Sequence, residues 1–185
     1  MDAITPIKPE VLRFGFGETQ LGIVLVALSD RGVAAILPGD DRQKLRRDLG
    51  GAFTGMRLIE DQAGLTAVIS MVAAFVDAPH RDLDRPLDLR GSDLELAVWA
   101  ALRAIPAGET RTYGALAKTL PVPATAQEVG AACAANRLAV AVPCHRAVKS
   151  DGSISGYRWG VQRKRRLINL EAVASPRFLS QDAVA

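Results

Sequence analysis

A chain of 185 residues, 49% of them apolar, suits one large domain or two small ones and carries enough apolar side chain for a real core, which excludes a disordered chain. Its net charge of +3 is mild, no apolar run approaches the ~20 residues that span a bilayer, and Met1 to Pro6 holds neither a basic nor an apolar leader segment, so neither a membrane partner nor secretion is expected. Two cysteines, Cys133 and Cys144, suggest no disulfide scaffold and cannot form a four-thiolate zinc site, so a reducing cytosolic compartment fits and no metal or cofactor is expected.

Residues 1–10 carry two prolines and little pattern, and read as a tail. Three strands are predicted around 11–16, 22–28 and 33–37, separated by the turn-like runs Gly17-Glu18-Thr19-Gln20 and Ser29-Asp30-Arg31-Gly32. Asp40 and Asp41 are placed to cap a short helix reaching Leu49. A stronger helix follows from Asp61, with Leu65, Val68, Ile69, Val72, Phe75 and Val76 on one stripe. Residues 78–91 break the pattern with two prolines, a glycine and many charges, and are read as a domain boundary. His80 lies in this charged segment, where a solvated histidine is the ordinary outcome, and it receives no role.

The second half is helical in pattern. Ser92-x-x-Glu95 is a capping box, followed by a stripe of Leu94, Ala97, Val98, Ala101, Leu102 and Ile105, and Pro106-Ala107-Gly108 ends that helix. Thr112 is placed to cap a second helix from Tyr113 to Leu120, and Pro121-Val122-Pro123 forces a turn. Thr125-x-x-Glu128 is a second capping box that opens a helix running to Ala135. Two short helices about a tight turn have the form of a helix-turn-helix. The small side chains of the second (Ala126, Gly130, Ala131, Ala132) suit either close approach to a nucleic-acid surface or plain packing on a neighbouring helix. Asn136 is a left-handed stop for that helix. Residues 138–142 then read as a buried strand, with Cys144 at its end.

The final helix starts near Val161, with Leu167, Ile168 and Leu170 inward and its basic residues outward. Its Arg163-Lys164-Arg165-Arg166 cluster is either a solvated face or a polyanion contact, and alone favours the former. Glu171 lies near the C-terminal end, where the helix dipole disfavours a carboxylate, and a buried or paired partner would account for it.

Val142-Pro143-Cys144-His145-Arg146 is the one segment with evident chemistry. A thiol is a weak nucleophile until deprotonated, and a neighbouring histidine or cation favours the thiolate. In an extended strand adjacent side chains point to opposite faces, so contact of Cys144 with His145 calls for a turn or a bridging water. No G-x-S-x-G, P-loop or H-E-x-x-H offers a competing site.

From about Phe14 to Ala172 the chain resembles the O6-alkylguanine-DNA alkyltransferases, above all the C-terminal half of the bacterial adaptive-response alkyltransferases. The segments that carry the resemblance are Val98-Trp99-x-Ala101-Leu102-Arg103-x-Ile105-Pro106-x-Gly108-Glu109-Thr110, Thr112-Tyr113, Ala132-Cys133-Ala134-Ala135-Asn136, Pro143-Cys144-His145-Arg146 and Ser155-Gly156-Tyr157-Arg158-Trp159-Gly160-Val161. The resemblance implies an α/β (α+β) architecture. A ribonuclease-H-like domain with a three-stranded sheet would span 11–85, and a mostly helical winged-helix domain carrying the site 86–173, with 174–185 a tail.

It further implies a single-turnover methyltransferase that flips an alkylated guanine out of double-stranded DNA and moves the alkyl group irreversibly to Cys144. His145 is then the base, acting through a water, and Glu171 holds it; Asn136 supports the turn, and Tyr113 protonates the leaving guanine. Gln127, Thr112, Arg146, Ala147, Tyr157 and Arg158 are implied DNA or base contacts. A cytoplasmic monomer bound to the bacterial nucleoid is expected. O4-alkylthymine as a second substrate is left open.

Gln127 stands where the family carries an arginine that fills the space left by the flipped base, Glu128 follows in place of alanine, and Ala147 replaces a larger valine or isoleucine. Glutamine hydrogen-bonds but brings no charge, so weaker binding or flipping is expected. The adaptive-response proteins carry an upstream four-cysteine zinc domain that this sequence lacks, so it is either free-standing or a piece of a longer protein. Two other readings stand beside this one: a module that binds damage without transfer, which the intact Cys144 argues against, and a Cys-His hydrolase, for which no oxyanion hole is identifiable. Cys133 reads as a buried hydrophobe.

Overall fold

The computed structural model describes residues 10–154 and 156–174; the expected tails at 1–9 and 175–185 and the single residue Ser155 lie outside the described residues. Three antiparallel strands, β1 (Val11–Thr19), β2 (Gly22–Ser29) and β3 (Gly32–Gly39), form where the alternating segments stood, each longer than the pattern alone suggested. The first turn tightens to Gln20 and Leu21 because Gly22 takes a φ of +100°, open to glycine at no steric cost. A fourth strand, β4 (Arg57–Glu60), pairs in parallel with β1 and completes the order β3-β2-β1-β4. It was not anticipated, because four residues reading Arg-Leu-Ile-Glu carry too little alternation to stand out.

Both faces of this sheet are covered. Helix α1 (Arg42–Ala52) is capped by Asp41, which accepts from the Lys44 amide at 2.9 Å, and lays Arg46 and Arg42 over the rings of Phe14 and Phe16. Helix α2 (Thr66–Asp77) closes the other face: Gly15 and Gly17 leave just enough room for Ile69. Its expected apolar stripe is buried throughout, although the helix begins at Thr66 rather than Asp61. Asp61 instead pairs with Arg13 on β1.

The segment 78–91 is bonded in place. It runs along the outer edge of β3, with the Val33 amide donating to the Pro86 carbonyl and the Asp88 amide to the Val33 carbonyl. The buried Asp88 carboxylate takes hydrogen bonds from Ser29 and Arg90. Farther along the same edge Ile36 bonds to Arg137 and Ala139. This edge pairing carries the chain just before Cys144, and the apolar core continues across the seam.

Beyond it lie α3 (Asp93–Arg103), a two-residue strand β5 (Arg111–Thr112), α4 (Tyr113–Thr119), α5 (Ala126–Ala135), a 3-10 turn (Cys144–Arg146), its continuation β6 (Ala147–Val148) and α6 (Val161–Ala174). Both capping boxes form as read. The architecture is mixed α+β.

Three expectations fail here. Asn136 stops α5 in extended backbone (φ −58°, ψ 133°), not a left-handed one. Residues 138–142 are tight turns with one bridge to Ile36, not a strand. As a solvated face the basic cluster of α6 fails in part: Arg165 and Arg166 are exposed, Arg166 reaching Gln20, but Lys164 is fully buried and Arg163 donates to the Leu21 and Trp159 carbonyls and pairs with Asp40. Ile168 and Leu170 are half-buried beside the fully buried Leu167. Arg163 thus pins α6 to the β1–β2 turn. Arg163→Ala is expected to lower stability by about 1–3 kcal/mol, because two carbonyls lose charge-assisted donors; urea unfolding checks it.

Candidate active site

Cys144 is placed by the backbone between α5 and the 3-10 turn. The Trp99 indole N–H on α3 donates to the Ala132 carbonyl at 2.9 Å, which holds the end of α5. Asn136 then acts as a brace: its Oδ1 accepts from the Leu138 amide at 2.8 Å, and its Nδ2 donates to the Val142 carbonyl at 2.9 Å and to Cys144 Sγ at 3.3 Å. Between them Val140 sits at φ +68°, costly for a β-branched residue. The strain persists because Asn136 on one side and the Ile36 pairing on the other over-determine the segment. The result is a fully turned chain that presents Cys144 on a 3-10 turn, 2% exposed.

His145 is wholly buried and its Nε2 lies 2.8 Å from Glu171 Oε1. Arg146 grips the same carboxylate, with Nε 3.0 Å from Oε2 and Nη2 2.8 Å from Oε1. The Gly108 amide adds a weaker contact at 3.3 Å. Burial alone pushes the Glu171 carboxyl up, but the bonds from His145 and Arg146 outweigh it and hold the group below its ordinary range, hence ionised. Burial also pushes the His145 imidazole down, against the pull of Glu171, so the ring is neutral at pH 7. A carboxylate only accepts, so Nε2 carries the ring proton and Nδ1 is left as the basic nitrogen. Nδ1 has no hydrogen-bond partner among the described residues. Burial likewise raises the Cys144 thiol, opposed by the Asn136 hydrogen bond and the charge of Lys164.

Lys164 was missed by sequence reasoning. It is fully buried on α6, donates to the Ala147 carbonyl at 2.6 Å and the Tyr113 hydroxyl at 3.3 Å, and lies 5.6 Å from the Tyr113 ring centre. Burial lowers its pKa, opposed by the charges of Cys144 and Cys133. Its spacing was the available signal: 164, 167 and 171 share one helix face. Parallel pairing of Thr112 with Val148 brings Tyr113 to this cluster.

The remaining expected residues divide. Thr112 caps α4 through the Ala115 amide at 3.1 Å. Gln127, exposed on the first turn of α5, lines a groove of about 560 Å³ with Tyr113, Lys118 and Lys149. Glu128 is consumed by its capping box. The Tyr157 hydroxyl is buried without a hydrogen-bond partner among the described residues, and its ring stands edge-on to Trp159 at 5.2 Å. Arg158 donates to the Ala134 carbonyl at 2.7 Å. Ala147 is buried; its amide donates to the Cys144 carbonyl and its own carbonyl accepts from Lys164. The Arg146 guanidinium is turned inside, onto Glu171 and the Ile105 and Pro79 carbonyls. Cys133 is a buried hydrophobe whose thiol burial pushes up to about 12.

Residues 93–173 match the model of the 6-O-methylguanine DNA methyltransferase DNA-binding domain. The methylated-DNA–protein-cysteine methyltransferase of Mycobacterium bovis is 35% identical over 143 residues, 71% of this chain and 87% of that protein. The chain belongs to this methyltransferase family. The bifunctional transcriptional activator/DNA repair enzyme Ada of Escherichia coli is 42% identical over 161 residues, 87% of this chain. The chain spans 46% of Ada's length. Mycobacterium tuberculosis OGT, solved in complex with DNA, superposes with a TM-score of 0.70 at 29% identity, covering 92% of this chain and 98% of that one.

Within this member of the family, Arg146→Ala strands the Glu171 charge beside a neutral ring and is expected to cost about 3–5 kcal/mol in denaturant unfolding. Asn136→Ala orphans the buried Leu138 amide and leaves the Val142 carbonyl with the Cys144 amide alone, at about 1–3 kcal/mol in the same measurement. Folded-state values of Glu171 and His145 both lie below their unfolded ones, so their stabilisation is present at high pH and lost as pH falls. The loss begins below the ordinary histidine value of 6.5 and deepens below the carboxyl value of 4.5. Glu171→Gln should flatten the deeper part of that acid limb.

Proposed function

We propose that this chain repairs DNA by moving the alkyl group of O6-alkylguanine to Cys144, once per molecule. One observation carries the reading: a buried thiol braced by Asn136 stands beside a neutral histidine whose proton is pinned on Nε2 by an ionised carboxylate. His145 Nδ1 takes the Cys144 proton through an intervening water. The thiolate attacks the alkyl carbon, the new S–C bond replaces the C–O bond, and the electron pair leaves with guanine O6. Tyr113, turned to the reacting base, supplies the proton that the guanine anion takes up, and the Lys164 ammonium stabilises the resulting phenolate. The thioether product has no group that water readily displaces, so the protein is consumed.

In the same reading residues 11–85 form a ribonuclease-H-like domain and residues 86–173 a winged-helix domain that meets DNA through α5. The base enters between Tyr113 and the Tyr157–Arg158 loop. Flipping costs a few kcal/mol, least for a poorly paired lesion. The working form is a monomer on duplex DNA in the bacterial cytosol. Among the described residues no helix is long and apolar enough to cross a membrane.

Gln127 favours a second reading, binding of damage without transfer, because it brings no charge to the orphan base. Intact mass after incubation with a duplex holding one O6-methylguanine separates the two. Stoichiometric gain of one methyl group, absent in Cys144→Ser, is the expected result; lesion binding with no mass gain in a single turnover would replace transfer by binding alone. The single-turnover rate should be flat through neutrality and fall only below the ordinary histidine value of 6.5, since His145 must be neutral to accept the proton and its pKa is depressed. Gln127→Arg should tighten duplex binding roughly three- to tenfold and steepen its salt dependence by about one counterion in a fluorescence-anisotropy titration.

A further inference from the structure

Segment 156–160 carries the Tyr157 hydroxyl into the interior and leads straight into α6, which bears Lys164 and Glu171. Glycines stand at both of its ends: Gly156 is exposed with open space around it, and Gly160 sits at φ +96°. Such backbone has little intrinsic preference for one position. The Tyr157 hydroxyl does not fix it, being buried with no hydrogen-bond partner among the described residues. The buried Trp159 ring and two guanidinium groups do. Arg163 donates to the Trp159 carbonyl at 3.0 Å from within α6, and Arg158 donates to the Ala134 carbonyl of α5 at 2.7 Å. Among the described residues the second is the one hydrogen bond between this segment and α5.

A basic side chain on the last carbonyls of a helix is ordinarily a cap, and stability is all it then contributes. Here the end of α5 is already held: the Ala132 carbonyl accepts from Trp99 Nε1, and the Cys133 carbonyl from the Asn136 amide. What Arg158 adds is a tie across 24 residues of chain. Its acceptor lies two residues before Asn136, the brace of Cys144. The tie therefore sets segment 156–160, and Tyr157 with it, against the helix end from which Cys144 is held. That end is remote from the first turn of α5: Ala134 lies seven residues beyond Gln127, about 10 Å along the helix at ~1.5 Å per residue. Both Arg158 and Ala134 are exposed, so the bond adds little to stability, and it favours one position of the segment without making it rigid.

We propose that Arg158 is a positioning residue for alkyl transfer: through the Ala134 carbonyl it holds Tyr157 and segment 156–160 beside the reacting base, instead of gripping a DNA phosphate. This role rests on the repair reading above. Single-turnover methyl transfer from an O6-methylguanine duplex, with protein at saturating excess, should slow roughly three- to tenfold in Arg158→Ala. Affinity for undamaged duplex should stay within about twofold and its salt slope should not change, whereas loss of a phosphate contact lowers that slope by about one. Arg158→Lys, which keeps a donor, should recover most of the rate. Hydrogen exchange of the free protein, followed by mass spectrometry, reads the tie without any substrate: peptides spanning 156–160 should exchange at least about threefold faster in Arg158→Ala. Unchanged exchange overturns the tie, and unchanged transfer despite faster exchange overturns its part in the reaction. Weaker duplex binding with a shallower salt slope and an unchanged saturated rate makes Arg158 a phosphate contact instead. A parent protein that accepts no methyl group overturns the repair reading, and this role with it.

Discussion

The buried Glu171 carboxylate is the constraint on which the site depends. A charge taken out of water is costly unless paired and fully hydrogen-bonded. Here Arg146 grips it with two nitrogens and His145 with a third. That demand fixes several things together. It draws α6 against the 3-10 turn, turns Arg146 inward so that it also ties down the Ile105 and Pro79 carbonyls, and selects the imidazole tautomer that leaves Nδ1 basic. Stability and the proposed proton acceptance are thus served by the same carboxylate.

A second constraint works on the other side of Cys144. The chain from Asn136 to Pro143 folds against its preferences, with a β-branched residue in left-handed backbone. Asn136 and the outer edge of β3 hold it there. The N-terminal sheet therefore contributes to the site without lending it a side chain: its edge supports the segment that ends in Cys144. The pairing of β5 with β6 does the same for Tyr113, and Lys164 links the two through the Ala147 carbonyl.

Much of this was legible in the chain. Both capping boxes, the stripes of α2 and α3, three strands and the Cys-His pair are local signals, in which each residue's role depends on neighbours a few positions away. Glu171 drew notice because a carboxylate near a helix end is unfavourable unless something pairs with it. What escaped shares a different property. Four-residue β4 is a strand only because β1 offers it a partner. Lys164 looked like one more solvated cation until α6 was docked. The same docking turned Arg163 inward, where a run of basic residues had read as a solvated face. Arg146, read as a DNA contact, was claimed by a carboxylate twenty-five residues away.

The sequence by itself determined most element types, the family and the candidate nucleophile, because periodicity, caps and an unusual Pro-Cys-His-Arg run are properties of nearby residues. Which cations face solvent and which are buried, which nitrogen of His145 bears the proton, and how a strained turn can persist were decided only by tertiary structure. Those depend on what a side chain meets across the core, where the absence of water makes a single partner decide the ionisation and direction of the group.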